Sequence, residues 1–227
     1  MFLIDAFNWT QLLQPQFYID NGGLWLVLFI IFAETGLFAG FFLPGDSLLF
    51  VAGIYSKNLA ESFFSSGNEH LDLLLIIGLC AIAGILGNTI GFWFGRRIGP
   101  GMYTWRDRFL FKQRYLSQAK EFYDKHGGGA IVFARFLPVI RTFAPIVAGI
   151  VMMDRKKFAF FNIIGSVAWT ASMIAAGHYL QQFFHDRYGY DLKEHLEIIV
   201  LGIVLVTTAP VLYKLIFGKK KNPAKPL

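Results

Sequence analysis

Four charged residues stand where charge is costly. Glu34 and Asp46 are the only charges in residues 21–56, and Arg135 and Arg141 are the only ones in 129–153; both stretches are otherwise apolar. A charged side chain at the centre of a bilayer costs roughly 2.5–3.5 kcal/mol, so four without partners would cost on the order of 10 kcal/mol. They must face one another, water or a ligand. In one reading they are structural ion pairs that tie two segments together. In the other they form a polar site, where Arg135 and Arg141 bind an anion and Glu34 and Asp46 pair with them or exchange protons. The two readings are compatible. Arginine suits phosphate because its planar fork donates two parallel hydrogen bonds and keeps its charge in a low dielectric.

Other chemistries find less support. His70, His126, His178, His185 and His195 show no metal-ligand spacing, so neither a metal nor a cofactor is expected. No nucleophile elbow or phosphate-binding glycine loop occurs, and Ser/His/Asp groupings are absent from the apolar segments, which argues against an enzyme. His178 reads as a packed or pore-lining residue, Asn88 as an interhelical hydrogen bond, and the 25 phenylalanines as lipid-facing or packing residues. The formal charge of +6 is topological. No basic patch alternates with stacking aromatics on a soluble face, so nucleic acid is not an expected partner.

The elements that must position the four charges follow from composition. The 227 residues are 55% hydrophobic and 16% charged, with mean hydropathy +0.50; a soluble domain carries about 25% charge. This predicts one all-α polytopic membrane domain over 1–227. Residues 4–18 mix Trp9, Leu12 and Leu13 with Asp5 and Asn8 and suit an interfacial helix. Residues 21–56 are too long for one span and too short for two, and Pro44-Gly45 breaks them, which predicts a re-entrant hairpin. A spanning helix is expected over 71–99, with uncharged 73–95 at its centre and a close-approach stripe at Gly87, Gly91 and Gly95. Residues 104–126 read as a basic amphipathic helix on the inner surface, ended by Gly127-Gly128-Gly129.

Residues 129–153, broken at Pro138 and Pro145 and flanked by Lys125 and by Arg155-Lys156-Lys157, predict a second hairpin with both ends cytoplasmic. Spanning helices follow at 158–182, with a small-residue face of Ala168, Ser172 and Ala176, and at 196–217. A basic tail, 218–227, places the C-terminus inside. Lys and Arg are absent from 1–56, whereas 96–125 hold eight of the 21. The N-terminus has no positive region of a cleaved signal, so its apolar segments are expected to be retained. The single Cys80 permits no intramolecular disulfide.

An internal repeat is visible in outline. Phe42-Leu43-Pro44 with Ala52-Gly53 corresponds to Phe136-Leu137-Pro138 with Ala148-Gly149, each followed by a spanning helix rich in small residues. Charge bias orients the two hairpins oppositely, the pattern of inverted-repeat transporters whose sites lie where the breaks meet.

Several motifs carry a family resemblance. Glu34-Thr35-Gly36, Phe42-Leu-Pro-Gly-Asp46-Ser-Leu-Leu49, Gly95-Arg96-Arg97-Ile-Gly99 and Phe122-Tyr-Asp-Lys-His-Gly127 resemble signatures of the DedA family. So does the run from Ala134-Arg135-Phe-Leu-Pro138 through Arg141-Thr-Phe-Ala-Pro145 to Gly149, with Asn162 and Trp169 after it. The similarity spans nearly the whole chain. It departs at Gly87-Asn88-Thr-Ile-Gly91-Phe92, where many members carry Asp and Tyr. The resemblance implies a bacterial inner-membrane protein with two opposed re-entrant hairpins. It also implies transport of a lipid carrier, notably return of undecaprenyl phosphate, dependent on the proton gradient, with important acids and arginines at Glu34, Asp46, Arg135 and Arg141. The expected partners are membrane lipids, a polyprenyl phosphate headgroup, protons and, in a homo-oligomer, further copies of the chain. A proton-coupled transporter of cations or drugs and a non-transporting assembly factor stand as the alternatives.

Overall fold

The computed structural model describes residues 15–37, 45–61, 67–102, 113–196, 198–199 and 201–203. They form eight α-helices: α1 (Pro15–Gly36), α2 (Gly45–Ile54), α3 (Ser56–Glu61), α4 (Glu69–Met102), α5 (Gln113–His126), α6 (Gly129–Arg135), α7 (Pro138–Ile150) and α8 (Arg155–Tyr188). A 3-10 turn at Leu192–His195 follows. Two helices, Glu69–Gly101 and Arg155–Tyr188, are long and apolar enough to cross a membrane; about 20 residues suffice for a span. Both outrun their expected limits because flanking polar turns simply continue the helix. Residues 104–112, Pro44, the greater part of 196–217 and the tail 218–227 lie outside the described residues.

The entry to the first broken segment is described in part. Of the expected interfacial helix, 4–14 lie outside the described residues; α1 is described from Pro15 to Gly36 and is divided at Gly23, whose φ of 53° and ψ of −147° are non-helical, into a first part over 15–22 and a second that leads to Gly36. Glycine tolerates that conformation because it has no Cβ to clash.

Glycine contacts set the relative directions of the helices. A Cβ at Gly87 would strike Thr35 and the Phe32 carbonyl, and Ile31 lies near Gly84, so α1 runs alongside α4 in the same direction. A Cβ at Gly95 would strike the Ile146 carbonyl, and Gly99 faces Ile150, so α7 also runs parallel to α4. On the other side, Asp46 at the start of α2 meets Trp169 and Gly53 near its end meets His178, which makes α2 parallel to α8; Gly128 against Phe161 and Gly165 against Val132 do the same for α6. The spanning helices themselves are antiparallel, since Gly84 faces Trp169 whereas Asn88 bonds Asn162. The expected stripe of Gly87, Gly91 and Gly95 is therefore the seam on which α1 and α7 both seat.

The small-residue face expected on α8 is corrected. Ala168, Ser172 and Ala176 are exposed, and the packed face is Asn162, Gly165, Ser166, Trp169, Thr170, Ile174 and Gly177. Asn162 decides the rotation: its amide must find partners, and lipid offers none. Outward, Leu74, Ile82, Leu86 and Trp93 of α4 and Phe160, Ile163 and Val167 of α8 are exposed. An apolar belt of that extent marks a surface that is not solvated by water.

Helix α5 is anchored to the second broken segment by one polar contact. Tyr123, buried against Ile131 and Phe158, donates to the Ala144 carbonyl at 3.0 Å. Burial pushes its phenol above the ordinary tyrosine range, which keeps the donor protonated.

Candidate functional site

Each of the four charges sits beside a helix break. Glu34 lies in the last turn of α1, Asp46 in the first turn of α2, Arg135 at the end of α6 and Arg141 in the first turn of α7. The breaks bring them together midway along α4 and α8. Arg141 Nη2 donates to Glu34 Oε1 at 2.5 Å, and its Nη1 donates to Asp46 Oδ1. One guanidinium thus holds both carboxylates. Its Nε has no hydrogen-bond partner among the described residues. A Cβ at Gly45 would overlap the Glu34 carboxylate, so only glycine lets α2 start so close to the acid.

Arg135 is the other kind of cation. It is 5% exposed, and among the described residues no carboxylate lies within salt-bridge distance of it. Its Nη2 donates instead to Asn162 Oδ1 at 2.8 Å. Asn162 is fixed in turn by the Ile85 carbonyl (3.1 Å) and by Asn88 (2.9 Å), so the expected interhelical bond of Asn88 exists and has a further use. Turned over, the orientation that satisfies both of its atoms, the Asn88 amide exchanges that bond for one from its nitrogen to the Thr35 carbonyl at 3.1 Å and accepts from Arg135 through its oxygen, so it links helices either way.

Trp169 joins the two arginines. Its ring lies 4.8 Å from Arg141 Cζ and 5.7 Å from Arg135 Cζ, and its Nε1 donates to Asp46 Oδ1 at 2.9 Å. A ring within reach of both cations stabilises each by about 0.5–2 kcal/mol. Glu34, Thr35, Asn88, Arg135, Arg141 and Trp169 line a cavity with room for about one water molecule. A group larger than water does not fit there in this arrangement.

Against known proteins, a VTT domain matches residues 43–179. The chain belongs to the DedA family. This DedA-family chain is 36% identical to protein DedA of Escherichia coli over 201 residues, 87% of the chain and 85% of that protein. It is 34% identical over 206 residues to an uncharacterised membrane protein of Mycobacterium leprae, covering 88% and 85%. With the inner membrane protein YqjA of Escherichia coli it shares 30% identity over 181 residues, covering 75% and 78%. No solved structure matches. It is, like these relatives, a membrane protein.

All four charged residues named from the sequence of this DedA-family protein thus meet in one cluster. Of the expected breaks, Gly45 opens α2 and Pro138 opens α7, whereas Pro145 is corrected: it lies buried inside α7, which continues across it because the packed neighbours hold the helix despite the missing N–H. Trp169 and Asn162 entered the sequence reading only as parts of a signature; their roles beside the arginines had no signal in spacing. One grouping absent from the sequence reading also emerges. Ser56 Oγ and His178 Nδ1 lie 2.9 Å apart, and Glu69 Oε1 is 3.8 Å from His178 Nε2. Ser56 is 2% exposed, so this line of residues clamps α3 to α8 and presents no accessible nucleophile.

Proposed function

We propose that the protein is a lipid-phosphate translocase, returning undecaprenyl phosphate across the bacterial inner membrane with dependence on the proton gradient. The observation that carries this reading is the pair of arginines at mid-depth. Arg135 has no carboxylate partner among the described residues, and Arg141 keeps an unpartnered Nε. The two arginines and two carboxylates balance as they stand, so the donors of both guanidiniums become available to an anion once the carboxylates leave Arg141. The carboxylates do not offer an open cation site, because Arg141 already holds both. That disfavours transport of a cation or drug.

In this reading α1–α2 and α6–α7 are re-entrant hairpins of an inverted repeat. The pairing of helices supports the symmetry: α1 seats on α4 as α6 does on α8, and α2 on α8 as α7 does on α4. Arg96 and Arg97 near the end of α4 and Arg155, Lys156 and Lys157 at the start of α8 share one end of the antiparallel pair, which by charge bias is cytoplasmic. The phosphate enters between the hairpin breaks, takes the donors of Arg135 and Arg141, and releases Glu34 and Asp46. Proton exchange within the released carboxylate pair couples the cycle to the gradient, while the lipid tail stays in the bilayer. The deciding experiment is headgroup-specific translocation in proteoliposomes, with and without a pH gradient. Movement of labelled polyprenyl phosphate, faster with the gradient and lost in Arg141→Gln, is the expected result. Equal movement of zwitterionic lipid would sink the proposal.

A further inference from the structure

We propose that the two carboxylates are not equivalent: Glu34 takes up the proton when Arg141 turns to its anion, while Asp46 stays ionised on Trp169. This rests on the lipid-phosphate reading for its cycle but on geometry for the asymmetry. Asp46 has two side-chain donors on one oxygen, Arg141 Nη1 and Trp169 Nε1. It also stands in the first turn of α2, where the unpaired N–H groups and the helix dipole favour a negative charge. When Arg141 leaves, the indole and the helix end remain.

Glu34 is differently placed. Arg141 is its one side-chain donor among the described residues, its Oε2 lacks a hydrogen-bond partner there, and the residue is 3% exposed. It lies in the last turn of α1, where the dipole disfavours an anion. Its charged neighbours are Arg141 on α7, Asp46 on α2 and Arg135 on α6; α4 presents the neutral Asn88, and α8 the neutral Trp169 and Asn162. Departure of Arg141 leaves a buried carboxylate with the Gly45 backbone N–H as its remaining donor and no side-chain donor, and a proton is the smallest partner that neutralises it. The step balances as one carboxylate plus one proton from the aqueous side, giving one carboxylic acid for each phosphate seated.

Trp169 is accordingly a positioning residue. Its ring stacks on the arginines and its N–H decides which acid titrates. Trp169→Phe keeps the ring and removes the N–H, so Asp46 too becomes free to take a proton. The expected result is that the pH profile of polyprenyl-phosphate transport steepens from about one proton to two, that Glu34→Gln flattens it, and that Asp46→Asn keeps a pH-dependent profile. Equal flattening by the two amide variants, or a Trp169→Phe profile identical to wild type, would overturn the proposal.

A second measurement needs no transport. Arg141→Gln, reconstituted in nanodiscs and checked for wild-type helicity, imitates departure of the guanidinium. Infrared spectra should then show a protonated carboxyl band that disappears when Glu34→Gln is added and persists when Asp46→Asn is added. The reverse pattern refutes the asymmetry. If that pattern holds while wild-type protein moves no lipid phosphate, the asymmetry stands and the transport reading is what fails.

Discussion

Asn162 and Arg135, on helices α8 and α6, meet at 2.8 Å through an amide oxygen that also faces Asn88 of α4. Three helices are thereby locked around one guanidinium that has no counter-ion among the described residues. The amide neutralises nothing. It orients the cation and leaves its charge available, as an anion-binding element requires.

Asn162→Leu should release that orientation. A hydrogen bond to a charged group contributes about 1.5–3 kcal/mol, so half-saturation by polyprenyl phosphate should rise roughly tenfold or more, with less change in maximal rate. Transport measured against lipid-phosphate content tests this, and an unchanged half-saturation would remove Arg135 from the phosphate site.

Arg141→Lys and Arg135→Lys preserve charge and lose the planar fork. At Arg141 a point ammonium cannot hold Glu34 and Asp46 through two separate nitrogens as the guanidinium does. Each variant should keep its expression and lose about tenfold or more in transport. Full activity in both would mean that charge balance suffices.

The glycine seats of α2 on α8 and of α7 on α4 are tight enough to be broken by a single side chain. At Gly53 a Cβ would overlap the Ile174 carbonyl, and at Gly149 it would overlap that of Phe92. Gly53→Val and Gly149→Val should each destabilise the protein by about 1–3 kcal/mol through overpacking. Val at Gly78, where a Cβ meets nothing, should be tolerated. Thermal melting in detergent separates the two classes.

Orientation is testable by single cysteines in a Cys80-free background. Lys125, Lys157 and Asn68 are exposed. Reagents confined to the cytoplasmic side should label cysteines at 125 and 157, and the outer side should label the one at 68. Labelling of 125 and 157 from opposite sides would eliminate the second hairpin.

Tyr123 gives a signed pH dependence. Its folded phenol is pushed up by burial, so above the unfolded value of about 10 the unfolded chain releases a proton that the folded chain keeps. Stability should therefore fall as pH rises beyond about 10. Tyr123→Phe should lower stability at neutral pH by about 0.5–1.5 kcal/mol, for the lost bond to Ala144, and should show a shallower alkaline decline. Parallel alkaline curves for the two proteins would contradict the buried-phenol account.

The sequence alone determined where the two long apolar helices run, the breaks at Gly45 and Pro138, and which four charges had to find partners. Those are one-dimensional properties: the cost of placing a residue in hydrocarbon is read position by position, and proline and glycine mark breaks locally. The glycine stripe of α4 was legible for the same reason, since a repeat of four places Gly87, Gly91 and Gly95 on one face. On α8 the same logic chose the wrong face, because smallness recurs on two faces and only the amide of Asn162 distinguishes them. The tertiary structure decided how the charges divide. Both carboxylates fall to Arg141, across separations of 95 and 107 residues, while Arg135 is left to an amide and Trp169 is set within reach of both guanidiniums. Those choices depend on the directions of side chains at helix ends brought together by folding, and no spacing along the chain encodes them.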